Sequence, residues 1–306
     1  MPLLRRRTAL LAGLTAARPA LPRAEEAATP MRWQVRDMPP LFAYTGGHTP
    51  TRLEDLGRGL IDGYMRQLLP LLPQYRHEFV EVTVPRAQAL LREGKTLCSM
   101  IHLYTPERLA ERYFTPAYPM PGQLQAQVIV HRSQLARIAA ALGPAPLSLA
   151  ALLQRPDFSG MMTAGRSFGV GVDRVLRAQA PGSGNLSPVV VVRHSSVLTM
   201  LRARRMDYAL EFPGMVDEYL RSVGAPGELV GLPIAEASTI ALSYASCTRS
   251  EEGRRQIEAI DQAIRRLAQP EHRATLLRRW QSPGPAERQR LNQYFDERAR
   301  GGPLIE

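Results

Sequence analysis

Three short stretches carry residues able to do chemistry at a shared site. In the first, Thr96 to Leu103 is apolar and β-rich, and Thr105-Pro106-Glu107-Arg108 follows at once. Proline suits the first turn of a helix, because its missing N–H has no helical partner there. Arg108 therefore falls on a short helix just past the carboxyl end of a buried strand, where open α/β sheets place ligands. A guanidinium there offers a planar fork to a carboxylate, with charge-assisted hydrogen bonds of about 1.5–3 kcal/mol each. The same arginine could instead pair with Glu111 or reach water. In the second stretch, Ala164-Gly165-Arg166-Ser167-Phe168-Gly169 leads into a helix expected over 170–180. A glycine loop at a helix start presents free N–H groups to an anion, although an ordinary turn gives the same string. In the third, Glu211 stands two residues before Pro213 and reads, taken alone, as an acid near a helix start.

Other chemistries find little support. The six histidines are scattered, with no close pair at helical ligand spacing and no cysteine pair near them, so no metal is expected. His102 lies on the strand before Arg108 and reads as a core or solvated histidine rather than a ligand contact. Ser195-Ser196 beside His194 lacks a nucleophile elbow, and phosphate-loop and dinucleotide motifs are absent, so no cofactor is expected. No helix-turn-helix segment precedes these stretches, which argues against nucleic acid as a partner.

The elements that must position these residues alternate. Met31 to Asp37 has strand alternation and ends at Pro39-Pro40, which turn the chain into a loop bearing Leu41, Phe42 and Tyr44. Those aromatics either cap the core or face a cleft. Leu53, Leu56, Leu60, Ile61, Tyr64 and Leu68 recur at helical spacing, closed by Pro70 and Pro73. A strand over 79–84, a helix over 85–93 and the strand before Arg108 complete a parallel order with right-handed crossovers. Strands are further expected over 123–131, 189–192, 228–232 and 239–247, and helices near 135–142 and 195–204. Ile257, Ile260, Ile264 and Leu267 line one helix face, and a second helix starts at Pro270 and ends at Trp280. The highly charged 283–306 segment reads as an exposed helix with a loose end.

The bulk numbers fit this picture. The chain has 306 residues, enough for two lobes with buried cores, and 44% of them are hydrophobic. Its formal charge is +11, but Arg5, Arg6, Arg7, Arg18 and Arg23 precede any acid, so loss of the first 24 residues leaves 11 − 5 = +6. Arginine is spread along the chain and lysine is almost absent, which is not the pattern of a nucleic-acid patch. Residues 1–24 read as an export signal: a basic start, then an apolar run over 9–17 too short to span a bilayer. Cleavage is expected near Ala24 or Ala17, and Arg6-Arg7-Thr8-Ala9-Leu10-Leu11 has a faint twin-arginine look. The segment has no cysteine for a lipid anchor, so a soluble periplasmic protein is expected. Cys98 and Cys247 would then meet an oxidising compartment, as a disulfide or as two buried thiols.

Gly94-Lys95, the apolar strand, Thr105-Pro106-Glu107-Arg108 and Tyr113-Phe114-Thr115-Pro116-Ala117-Tyr118 resemble the first-lobe signature of bacterial extracellular solute-binding proteins of family 3, the amino-acid-type receptors of ABC importers. The resemblance loosely covers residues 31–280. It implies an α/β fold of the periplasmic binding protein type II, with two lobes joined by a two-strand hinge. Lobe one would hold residues 25–125 and 236–306, and lobe two residues 126–235.

The implied ligand set is Asp37, Phe42, Tyr44, Ile101, Arg108, Gly165, Arg166, Ser167 and Glu211. In it Arg108 clamps a carboxylate, completed from the other lobe by the Ser167 hydroxyl and the loop amides, and Glu211 meets an ammonium group. Arg166 stands where the family often has threonine, which implies a more acidic ligand. Glu211 replaces an aspartate, and Leu103 a threonine. The returning strand of the resembled fold would bring Cys247 beside Cys98 as a disulfide. The implied role is a monomeric receptor presenting a carboxylate-bearing ligand to an ABC permease or a membrane sensor. The alternative on the same scaffold is a dehydratase acting on a cyclic carboxylate, with Glu211 or His102 as general acid.

Overall fold

A computed structural model describes residues 28–179, 184–280 and 284–301; the expected export signal lies outside the described residues. The chain begins with strand β1 (Thr29–Val35), helix α1 (Leu60–Leu68), β2 (Tyr75–Glu81), α2 (Val84–Arg92), β3 (Cys98–His102), the short α3 (Pro106–Leu109) and the long β4 (Arg112–Leu124). It then crosses into β5 (Gln127–His131), α4 (Leu135–Leu142), α5 (Leu149–Leu153), β6 (Gly160–Thr163), α6 (Val170–Ala178), β7 (Leu186–Val189), α7 (Ser196–Arg202), β8 (Tyr208–Glu211), α8 (Pro213–Ser222) and β9 (Leu229–Pro233). It returns through β10 (Ile240–Thr248) and ends in α9 (Glu251–Ala268), α10 (Pro270–Trp280) and α11 (Pro285–Arg300).

Two five-stranded sheets result, ordered β2-β1-β3-β10-β4 and β7-β6-β8-β5-β9. The strands leading out of and back into the first sheet, β4 and β10, pair antiparallel. Beyond them the two connections are tied by a hydrogen bond from Gln125 to Thr239 at 2.9 Å. This is the expected α/β architecture of two lobes joined by two crossing segments. In the first lobe, Trp33, Tyr64 and Tyr118 pack with Ile257, Ile260 and Ile264 of α9. In the second, Val128 and Val130 face one apolar cluster and Ile129 faces another. The second sheet, parallel in two of its pairings and antiparallel in the other two, is therefore covered on both sides.

Local differences from the expectations have identifiable causes. The helix expected from Leu53 starts only at Leu60, with a single 3-10 turn at Leu53–Asp55. Gly57 and Gly59 lie so close under the Leu41–Ala43 backbone that a Cβ would meet Ala43 O at 1.6 Å and Leu41 O at 2.1 Å. The chain there cannot carry side chains on a regular helix. The strand β2 starts four residues early, and Thr83 caps α2 at Val84 rather than ending the strand there. The strand placed at 189–192 lies at Leu186–Val189, because its partner β6 ends at Thr163 and the Gly165 turn follows. The charged end of the chain is not merely an exposed helix. On α11, Leu291 and Phe295 join the first-lobe core. Arg298 is also buried; it pairs with Asp261 and donates to Thr115 Oγ1 at 2.6 Å and Pro116 O at 3.0 Å.

Candidate functional site

The carboxyl ends of β1 and β3 open on a cavity of about 80 Å³ between the lobes. Arg108 lines it. Thr105 caps α3 by accepting from the Arg108 N–H, which fixes the backbone from which the guanidinium reaches inward. Its Nη1 donates to Leu103 O at 3.0 Å. No acid pairs with Arg108 among the described residues, and burial lowers its pKa, partly offset by Asp173 and Glu111. A largely buried guanidinium with donors facing a cavity has the geometry to meet an anion.

The opposite wall is the Gly165–Ser167 loop. Gly165 has φ +70°, and a Cβ there would meet Val84 Cγ1 of the first lobe at 2.8 Å, so the lobes touch through this glycine. The Ser167 hydroxyl donates to Asp173, whose other oxygen accepts from Phe168 N at 2.8 Å. The loop is thus braced by the first turn of α6. Outside the cavity, Glu107 of α3 and Arg177 of α6 form an exposed ion pair at 2.9 Å that bridges the two lobes.

Glu211 ends β8 and is buried, but it does not line this cavity. Its Oε2 pairs with Arg166 Nη1 at 2.7 Å and with His194 Nε2 at 2.5 Å, while Oε1 accepts from Phe212 N at 2.7 Å. With Nε2–H donated to Glu211, Nδ1 of His194 accepts from Arg166 Nη1 at 3.0 Å. Burial holds His194 below the usual imidazole range and therefore neutral near pH 7, against the pull of Glu211. Burial alone would raise the Glu211 carboxyl, but Arg166 and His194 outweigh it and carry it down to about 2. The triad is a closed, internally compensated unit.

Of the expected ligand set, the structure brings Ile101, Arg108, Gly165, Arg166 and Ser167 to one cavity. Phe42 is fully buried in the first-lobe core and Tyr44 packs against it. Asp37 accepts from Tyr44 N at 3.4 Å and faces a separate groove beside His194. His102 does line the cavity; its Nδ1 lies 2.9 Å from Ser246 Oγ. Burial, then Arg112, Arg108 and Arg36, push its pKa well below normal. Cys98 and Cys247 sit opposite each other on β3 and β10 and are disulfide-bonded.

Comparison with solved structures settles the architecture. An ABC uptake transporter substrate binding protein from Streptococcus pneumoniae with bound histidine aligns over 84% of this chain and 93% of its own, at 12% identity and TM-score 0.59. The fold is that of a type II periplasmic binding protein. Two further type II structures align similarly. A mutant of ArgBP from T. maritima covers 84% of this chain and 96% of its own, at 15% identity and TM-score 0.57. The GluR0 ligand-binding core from Nostoc punctiforme, in complex with L-glutamate, covers 83% of this chain and 100% of its own, at 17% identity and TM-score 0.54. No protein-family model matches the sequence, and no curated protein does.

Within this type II cleft, sequence reasoning missed Gln34, Arg36 and His194. Gln34 near the end of β1 and Arg36 just past it alternate with Trp33 and Val35, and both line the cavity. Two polar side chains on one face at the end of the first buried strand are a signal as good as the one that marked Arg108. His194 carried none, since only folding brings it against Glu211.

Proposed function

We propose that this protein is a periplasmic solute-binding protein that closes on a small carboxylate-bearing ligand and presents it to an ABC importer or a membrane sensor. The observation that carries this reading is the opposition of Arg108, free of any acid partner among the described residues, to the Gly165–Ser167 loop across the cavity. The two walls belong to different lobes, so a ligand touching both binds the closed form better and shifts the population towards it. Solved structures of the same fold carrying histidine and glutamate support an amino-acid-like or acidic ligand. Among the described residues no helix is long and apolar enough to cross a membrane.

The dehydratase alternative needs a protonated general acid in the cleft, and His102, pushed well below the usual imidazole range by burial and neighbouring arginines, holds no proton to give near pH 7. Glu211, held ionised by Arg166 and His194 and turned from the cavity, weighs against it. The deciding experiment is calorimetry of the purified mature protein with small carboxylates, beside a product assay. One-to-one uptake without turnover is expected. Arg108→Ala should abolish uptake with the melting temperature nearly unchanged; steady product release, or uptake that survives the substitution, overturns the proposal.

A further inference from the structure

The cavity carries more positive charge than one carboxylate needs. Arg36 is only 3% exposed, lines the cavity and has no ion-pair partner among the described residues. Its Nη2 reaches Val191 O of the second lobe at 3.4 Å, and its buried Nε has no hydrogen-bond partner among the described residues. Beside it Gln34, 1% exposed, leaves both Oε1 and Nε2 buried without a partner. Such groups are costly to bury unless something pairs with them. Three guanidiniums, Arg36, Arg108 and Arg166, therefore line the cavity, and Glu211 compensates only Arg166. Asp173 acts on Arg108 and Glu81 on Arg36 only at a distance, and neither forms an ion pair with them. Asp173 accepts from Ser167 and Phe168, and Glu81 accepts from Thr49 Oγ1 at 2.5 Å. Arg36 and Arg108 are thus left without an ion-pair partner among the described residues.

Their placement is as informative as their number. β1 and β3 are parallel neighbours, with Gln34 opposite Ser99. Arg36 follows the end of β1, and Arg108 returns to Leu103 just past the end of β3, so the two cations stand beyond the ends of neighbouring strands. Leu41, Ile101 and Leu103 add apolar surface to the same cavity. We infer that the cleft takes a small dianion, a short-chain dicarboxylate, with one carboxylate on Arg108 and the second on Arg36 and the Gln34 amide. That apolar surface would cover the methylenes. A volume of about 80 Å³, where one water needs roughly 10–15 Å³ on the same measure, is room for roughly five to eight waters and so limits the ligand to a short diacid. Glu211, already saturated, is not available to an ammonium group.

This inference rests on the carboxylate clamp proposed above and adds the second anionic pole. It is tested by titration calorimetry of the mature protein with malonate, succinate and glutarate. Butyrate, alanine and inorganic phosphate serve as single-headed controls. The best diacid should bind at least tenfold more tightly than butyrate or alanine. Arg36→Gln should erase that advantage while leaving butyrate within about twofold, and Arg36→Lys should retain part of it; circular dichroism confirms that both variants fold. Butyrate within threefold of every diacid, or phosphate tighter than all of them, overturns the inference. So does an Arg36→Gln variant that weakens butyrate and diacid alike. Arg108-dependent uptake of alanine without diacid binding defeats the second pole and spares the clamp. Absence of binding by every carboxylate defeats both.

Discussion

Glu211 shows how far a residue's neighbours decide its role. From its place before Pro213 it could serve a helix start or a ligand; in the fold it is the anion of a buried triad with Arg166 and His194. Removing one member of such a pair leaves an uncompensated buried charge, so Glu211→Ala should destabilise the protein by about 3–5 kcal/mol in urea unfolding. A loss below about 1 kcal/mol would mean that the triad is not a structural unit. The same residues set the pH response. Burial keeps His194 neutral in the folded state, so the unfolded chain takes up the extra proton and stability falls as pH drops through about 6.5. The depressed Glu211 carboxyl then withdraws its contribution between its ordinary value near 4.5 and about 2. Urea midpoints at pH 7.5, 5.5 and 3.5 should decline in that order, and a flat profile would show that neither shift exists. Arg108 was legible because proline, strand and helix start are all local signals. The triad was not, since Arg166, His194 and Glu211 are brought together only by the second sheet.

At the scale of elements, the least legible strand was β4. Pro116 and Pro119 lie within it and argue against a strand on propensity alone. The contradiction dissolves because β4 is the edge of the first sheet, where a missing N–H can face away from the ladder. By contrast, β3, α3 and α9 were legible from apolar runs and caps. Partway along the first sheet, the bond between Cys98 and Cys247 joins positions separated by 149 residues. In the chain-entropy account, closing a loop of that length contributes up to about 5 kcal/mol. Adding reductant should therefore lower the urea midpoint strongly, and an unchanged midpoint would refute that account here. The Gly165 turn of the second lobe packs against α2 of the first. Gly165→Ala adds a Cβ 2.8 Å from Val84 Cγ1 at a φ of +70°, a conformation costing an L-residue about 1–2 kcal/mol. Ligand affinity should fall at least tenfold, and Val84→Ala in the same background should restore part of it. Full affinity in the single variant would mean that closure does not need this approach.

For the whole molecule, what matters is how the two lobes are held together. The bridge between Glu107 and Arg177 is half-exposed on both sides, and such pairs are typically worth less than about 1 kcal/mol. Glu107→Ala should accordingly leave the melting temperature within a degree or two. A larger drop would identify the pair as a latch in its own right. The layout of two sheets and a double crossover was foreseeable from the order of strands and helices together with the family resemblance. The anchoring of the last helix was not, because its sequence is mostly charged and its hold depends on Arg298 finding Asp261 and Thr115. That anchoring has a practical corollary. Since α11 is bolted to one half alone, a dye placed on its outer face stays still with respect to that half. A second dye on α8 would report the other half, and a change in the distance between them on adding a carboxylate would reveal whether the halves move, without touching the cavity.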